Sequence, residues 1–136
     1  MFKFKNIFVF ILLILITTSC SNKQNINVQK LNDNGNYEDF NVISKANTVS
    51  IVREILNKVK WETMESEMER EADYLFYFQF VNPDIEAKPV LYSVWINPNK
   101  DSLEVTQGDT KYVHLNADES AKLYKAITDT NLSDIK

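Results

Sequence analysis

The sequence predicts an α+β domain: a mainly antiparallel sheet of about five to six strands with two helices packed on one face, in the order ββ-α-ββββ-α. Three observations carry this expectation. Apolar residues between Val49 and Val59 recur at helical spacing, whereas Tyr74–Val81 and Val90–Ile96 alternate with a period of two. The later apolar segments are joined by short turns, so neighbouring strands run antiparallel. A second helical pattern follows them behind a capping signal at Asn116.

The elements follow in order. Ile26 and Val28 alternate with Asn27 and Gln29 in a first strand, Ile26–Leu31. Asn34-Gly35 within the polar run 32–36 signals a hairpin, because a type I′ turn needs positive φ at both central residues; a longer loop is the other option. Phe40–Ile43 is the returning strand. Val49, Val52, Leu56 and Val59 then mark one face of a helix from Lys45 to Lys58, with Ile51 and Ile55 widening it and Ser44 or Asn47 as cap. The acidic stretch Glu62–Glu71 has no clear period and reads as a helical extension or a loop.

In the next strand Tyr74, Phe76, Phe78 and Phe80 share one face, and Pro83 ends the segment. Val90–Ile96, Ser102–Thr106 and Lys111–Leu115 complete the sheet, separated by the turns 97–101 and 107–109. Asn116 caps the last helix and Glu119 stands where a capping box returns its contact. Asp118 and Glu119 precede Lys122 and Lys125, as the helix dipole favours. Two helices on one side would bury the phenylalanine row. The tail 131–136 is expected to fray.

The amino terminus has a different character. Lys3 and Lys5 precede an apolar run, Ile7–Ile16, of ten residues, against about 20 for a membrane-spanning helix. Thr17-Thr18-Ser19-Cys20 follows and resembles a bacterial lipobox, with Thr17 where leucine is usual. The reading is a signal peptide over 1–19, cleavage before Cys20, and acyl chains on that thiol, with residues 20–25 as tether and one domain over 26–130. Two or more chains hold a protein firmly, at about 0.8 kcal/mol per buried CH₂. The alternative is an uncleaved anchor. The lipid places the domain at the extracytoplasmic face of the cell membrane.

Composition narrows the functions. Without Lys3 and Lys5, the chain's 15 Lys+Arg become 13 against 19 Asp+Glu, a net charge of −6. Such a domain is repelled by nucleic acid and by anionic head groups, and is expected to stand off the membrane on its tether. Two glycines cannot build a phosphate-binding loop. Cys20 is the only cysteine, so no internal disulfide forms. One histidine and one lipidated cysteine leave zinc without its usual ligands.

The layout resembles the YhfM-like domain of lipoproteins from Gram-positive bacilli. The residues that carry the resemblance are the lipid-cysteine leader, Ile26-Asn-Val28, Asn41-Val-Ile-Ser44 entering a helix with Val52 and Leu56, Tyr92-Ser-Val-Trp-Ile96, and Tyr112-Val-His-Leu115 leading to Ser120-Ala-Lys-Leu123. It spans nearly all of the chain after the leader. It implies an architecture and an address, and no catalytic residue.

No catalytic set, cofactor site or metal site is legible. His114 alternates against Val113 and Leu115 and has no base partner nearby in sequence. Asn97, Asn99, Asp101 and Glu104 are spaced like calcium ligands, but Ser102 fills the slot of the obligatory glycine, so a hairpin turn accounts for them better. A hydrolase with a carboxylate pair drawn from Glu62, Asp73, Asp101 and Glu104 is the alternative to a non-enzymatic module. The strongest binding hint is aromatic. Tyr77 and Trp95 share the sheet face opposite the phenylalanine row, and an exposed pair there would suit a protein, peptide or cell-wall partner. The competing reading packs these rings under Glu62–Glu71 or against the first hairpin.

Overall fold

Period-two alternation sorts the strand residues onto two faces, and one of those faces is covered by both helices. The structure, a computed structural model, describes residues 23–136; the leader and Cys20 lie outside them. The strands are β1 (Gln24–Leu31), β2 (Tyr37–Ile43), β3 (Glu62–Thr63), β4 (Tyr74–Phe80), β5 (Tyr92–Ile96), β6 (Leu103–Gln107) and β7 (Lys111–His114). The helices are α1 (Ala46–Lys58) and α2 (Ala117–Thr128), and a 3₁₀ turn covers Leu132–Asp134. The fold is α+β with one antiparallel sheet in the order β2-β1-β4-β5-β6-β7-β3.

The core forms where this face meets the helices. Ile26 and Val28 from β1, Phe76 from β4, Val94 from β5 and Val105 from β6 are fully buried with Val52 of α1 and Leu123 and Ile127 of α2. Phe76 stacks on Tyr92 at 4.9 Å, and Tyr74 meets Tyr124 edge-on at 6.1 Å. β1 is a central strand: Ile26 faces Phe78 of β4 on one side and Ile43 of β2 on the other.

Helix α2 starts as its sequence predicts. Asn116 accepts from the Glu119 backbone N–H at 2.8 Å, and the Glu119 carboxylate accepts from the Asn116 N–H at 3.3 Å. Asp129 ends the helix in the left-handed region at φ 60°. Inside the first turn, the fully buried Ser120 hydroxyl accepts from Leu103 N–H at 2.9 Å and donates to the Leu115 carbonyl at 3.3 Å. That ties the helix to the start of β6.

Several expectations need correction. The tether does not reach residue 25: Gln24 and Asn25 already belong to β1, paired with Phe80 and Gln79. The first hairpin is not a two-residue turn. Residues 32–36 form a loop in which Asn32 Oδ1 accepts from the N–H groups of Asn34 and Asn36, and Gly35 alone takes positive φ, at 81°. Lys45, not Ser44 or Asn47, is the cap of α1, without a side-chain bond. The acidic stretch is no helix: it begins as β3, pairs with β7 and adds an edge strand. The tail does not fray, because Leu132 is buried in the core and Ile135 packs on it.

A β-bulge breaks the register between β1 and β2 at Val28/Gln29. It leaves Phe40 without a partner residue on β1 and brings its ring edge-on to Tyr74, 5.6 Å away. Val42 is left exposed.

Candidate functional site

The second sheet face is crossed by the segment between β3 and β4, and this decides the fate of the two aromatic candidates. β3 lies at the far border and β4 in the middle, so residues 64–73 must travel back over the strands between them. Trp95 lies beneath this crossing, only 7% exposed, and its indole N–H donates to the Arg70 carbonyl at 2.9 Å. There is therefore no exposed platform at Trp95, which packs under the acidic stretch, as the competing reading of the sequence has it. Tyr77 is half-buried on the same face, but the β4–β5 register sets Trp95 beside Asp73, four residues away. At about 3.3 Å per residue the two rings are about 13 Å apart along the strand.

The crossing is clamped by ions. Arg70 donates to both Asp73 carboxylate oxygens at 3.0 and 2.9 Å and to the Ile96 carbonyl at 2.8 Å. Asp73 also accepts from the Ile96 N–H at 2.7 Å. Asp73 raises the Arg70 pKa further by hydrogen bonding. This bidentate pair occupies Asp73, one of the four carboxylates considered for hydrolysis. Asp101 is tied to Asn97 in the 97–101 turn at 2.7 Å.

Glu62 and Glu104 instead stand about Tyr112, which pairs with Glu62 across β3–β7 and donates its hydroxyl proton to Glu104. Burial, followed by that contact, pushes the Tyr112 phenol up to about 12. Beside them His114 Nε2 lies 2.8 Å from Ser102 Oγ. The sequence reading missed this pair, because β6 and β7 bring residues 12 apart together only once the hairpin register is known. A nucleophile–base pair also needs a group that orients the other ring nitrogen, and among the described residues nothing hydrogen-bonds His114 Nδ1. Among them, too, no three His, Cys, Asp or Glu side chains gather as a metal site.

Two concave surfaces stand out. A groove of about 1110 Å³ runs between α1 and α2, with Ile51, Glu54, Lys58, Ala121 and Lys122 among its walls. A second concavity, of about 770 Å³, opens where the end of β4 and the start of β5 meet the loop 81–91. Phe78, Phe80 and Tyr92 line it beside Ile85, and Tyr77 borders it. Arg53 lies 4.6 Å above the Phe78 ring and donates to Gln24 Oε1 at 2.7 Å, which fixes the wall formed by α1. The phenylalanine alternation signalled these rings. The loop that closes over them had no periodic signal of its own.

No family model, curated protein or solved structure matches this chain.

Proposed function

We propose that the chain is a lipoprotein held on the extracytoplasmic face of the cell membrane by acyl chains on Cys20, and that its domain is a non-enzymatic binding or accessory module of the envelope. The leader carries the reading: Lys3 and Lys5, an apolar run too short to span a bilayer, and small Thr18 and Ser19 before a lone cysteine. The start of the fold supports it. Strand β1 begins at Gln24, so a chain cut before Cys20 keeps every strand and helix found among the described residues. The partner is a protein, peptide or wall component, and the mature charge of −6 disfavours nucleic acid. With Trp95 buried, the two concave surfaces replace the aromatic platform as places to meet it. The likeness to YhfM-like domains belongs to the same proposal.

The test is metabolic labelling with an alkyne fatty acid, followed by mass spectrometry of the mature terminus. The wild-type chain takes up label and starts at Cys20. Cys20→Ser loses the label and leaves the membrane fraction. An intact Met1 terminus, or label retained in Cys20→Ser, overturns the reading.

A further inference from the structure

The first described residue, Lys23, stands at one end of the sheet, and that end carries an apolar rim. The Val81 N–H donates to the Lys23 carbonyl at 2.9 Å, extending the β1–β4 ladder. Val81, Val90 and Leu91 are 52%, 47% and 42% exposed. They make up half of the large apolar side chains exposed among the described residues; the others, Phe40, Val42 and Ile51, lie on β2 and α1.

We propose that this rim enters the headgroup boundary of the bilayer that holds the Cys20 lipid, so that the domain sits on the membrane in one orientation. The inference rests on the lipid-anchor reading. Cys20 precedes Lys23 by three residues, and three residues span at most about 10 Å. The acylated thiol therefore cannot lie far from Val81, and the domain has too little chain to stand clear of the surface. Interfacial amphipathic helices bury their apolar face by about 5–10 Å, and valine and leucine side chains are shorter than that, so this rim enters only the shallow, headgroup side of the zone.

The loop is built to hold the rim outward. Asn82 Oδ1 accepts from the Asp84 N–H at 3.0 Å, and the Asn82 carbonyl accepts from Ile85 at 3.2 Å. Pro83 and Pro89 restrict the backbone on both sides. At the far end, Leu91 is fastened by its carbonyl, which accepts from Gly108 N–H at 2.8 Å. The charges nearby nearly cancel, with Lys23, Arg53 and Lys88 against Asp84 and Glu86. Contact is therefore apolar, needs no anionic lipid, and survives salt.

The experiment uses the full lipidated protein in phosphatidylcholine vesicles. Acylation blocks Cys20, so Val90→Cys offers a single thiol for the fluorophore NBD, and Leu91→Cys gives a second, independent position. Asp33→Cys labels the loop at the opposite end of β1, about 25 Å away at strand spacing. Vesicles containing doxyl-labelled lipid are expected to quench the fluorophore at 90 and 91 at least fivefold more than at 33, equally in low and high salt. Equal quenching at all three positions, in vesicles that carry the protein on flotation, overturns the orientation and leaves the anchor standing. A fluorophore shielded at 90 without dependence on doxyl lipid means that protein covers the rim, such as a second copy, and also overturns it. Failure of the wild-type protein to float sinks the anchor and the orientation together.

Discussion

Trp95→Ala separates a structural tryptophan from a binding one. The ring is 7% exposed and its N–H is satisfied by the Arg70 carbonyl at 2.9 Å. Truncating a buried aromatic residue to alanine costs about 3–5 kcal/mol, and the spread depends on how far the site collapses. Trp95 is roofed by an irregular segment rather than by a helix, so its surroundings can close in, and the expected loss is about 3 kcal/mol. Arg70 is exposed, so water can reach its freed carbonyl and adds little to the cost. For a domain of this size the loss corresponds to roughly 12 °C in Tm. Trp95→Phe keeps most of the buried area, loses the indole hydrogen bond, and should cost about 1 kcal/mol. Urea unfolding followed by circular dichroism at 222 nm reads both, because the signal does not depend on the removed fluorophore. A Trp95→Ala protein within 0.5 kcal/mol of wild type would refute the argument that the crossing covers this ring.

Ser120→Ala removes the acceptor of the buried Leu103 N–H and should cost about 1–3 kcal/mol in urea, whereas Ala121→Ser at the exposed neighbouring position should be nearly neutral. Leu132→Ala should lose about 2–3 kcal/mol, at the low end for leucine because the tail can resettle; no change in thermal midpoint would mean that the tail is not part of the core. Asn116→Ala opens the capping box of α2 and should lower stability by about 1 kcal/mol. Tyr112 favours its neutral phenol in the folded state, so the stability it contributes is complete below pH 10 and is lost as pH rises through about 12. The fall in urea midpoint above pH 10 should be shallower in Tyr112→Phe than in wild type; since burial also raises Tyr37, Tyr74 and Tyr92, part of the fall persists.

What could be read from the sequence was local. The capping box of α2 needs only Asn116 and Glu119, three residues apart, and it formed as spaced. The phenylalanine row of β4 needs only alternation, and the helix-covered core takes in Tyr74, Phe76 and Phe78, while Phe80 lines the concavity beyond it. The rest depended on distant partners. β3 is two residues long and exists because Glu62 and Thr63 find β7 nearly fifty residues later. The cover over Trp95 comes from residues 64–73, whose charges carry no periodicity. Phe40 stands edge-on to Tyr74 where a bulge offsets it from β1, and simple alternation cannot show that. Among the candidate surfaces, the rings of the concavity were legible as a strand face. The apolar rim was not, since Val81 and the pair Val90 and Leu91 reach the same end of the sheet only through the antiparallel β4–β5 pairing.

The two borders of the sheet limit how copies of this protein can associate. One border is β2, whose ladder is broken by the bulge and whose outer side carries Glu38 and Asp39. The other is β3, with only two residues to offer. A strand arriving from another molecule finds no long, flat row of free amide and carbonyl groups on either side. Molecules crowded side by side can therefore touch without recruiting one another into a growing ribbon, which removes the commonest route by which a sheet protein seeds fibres.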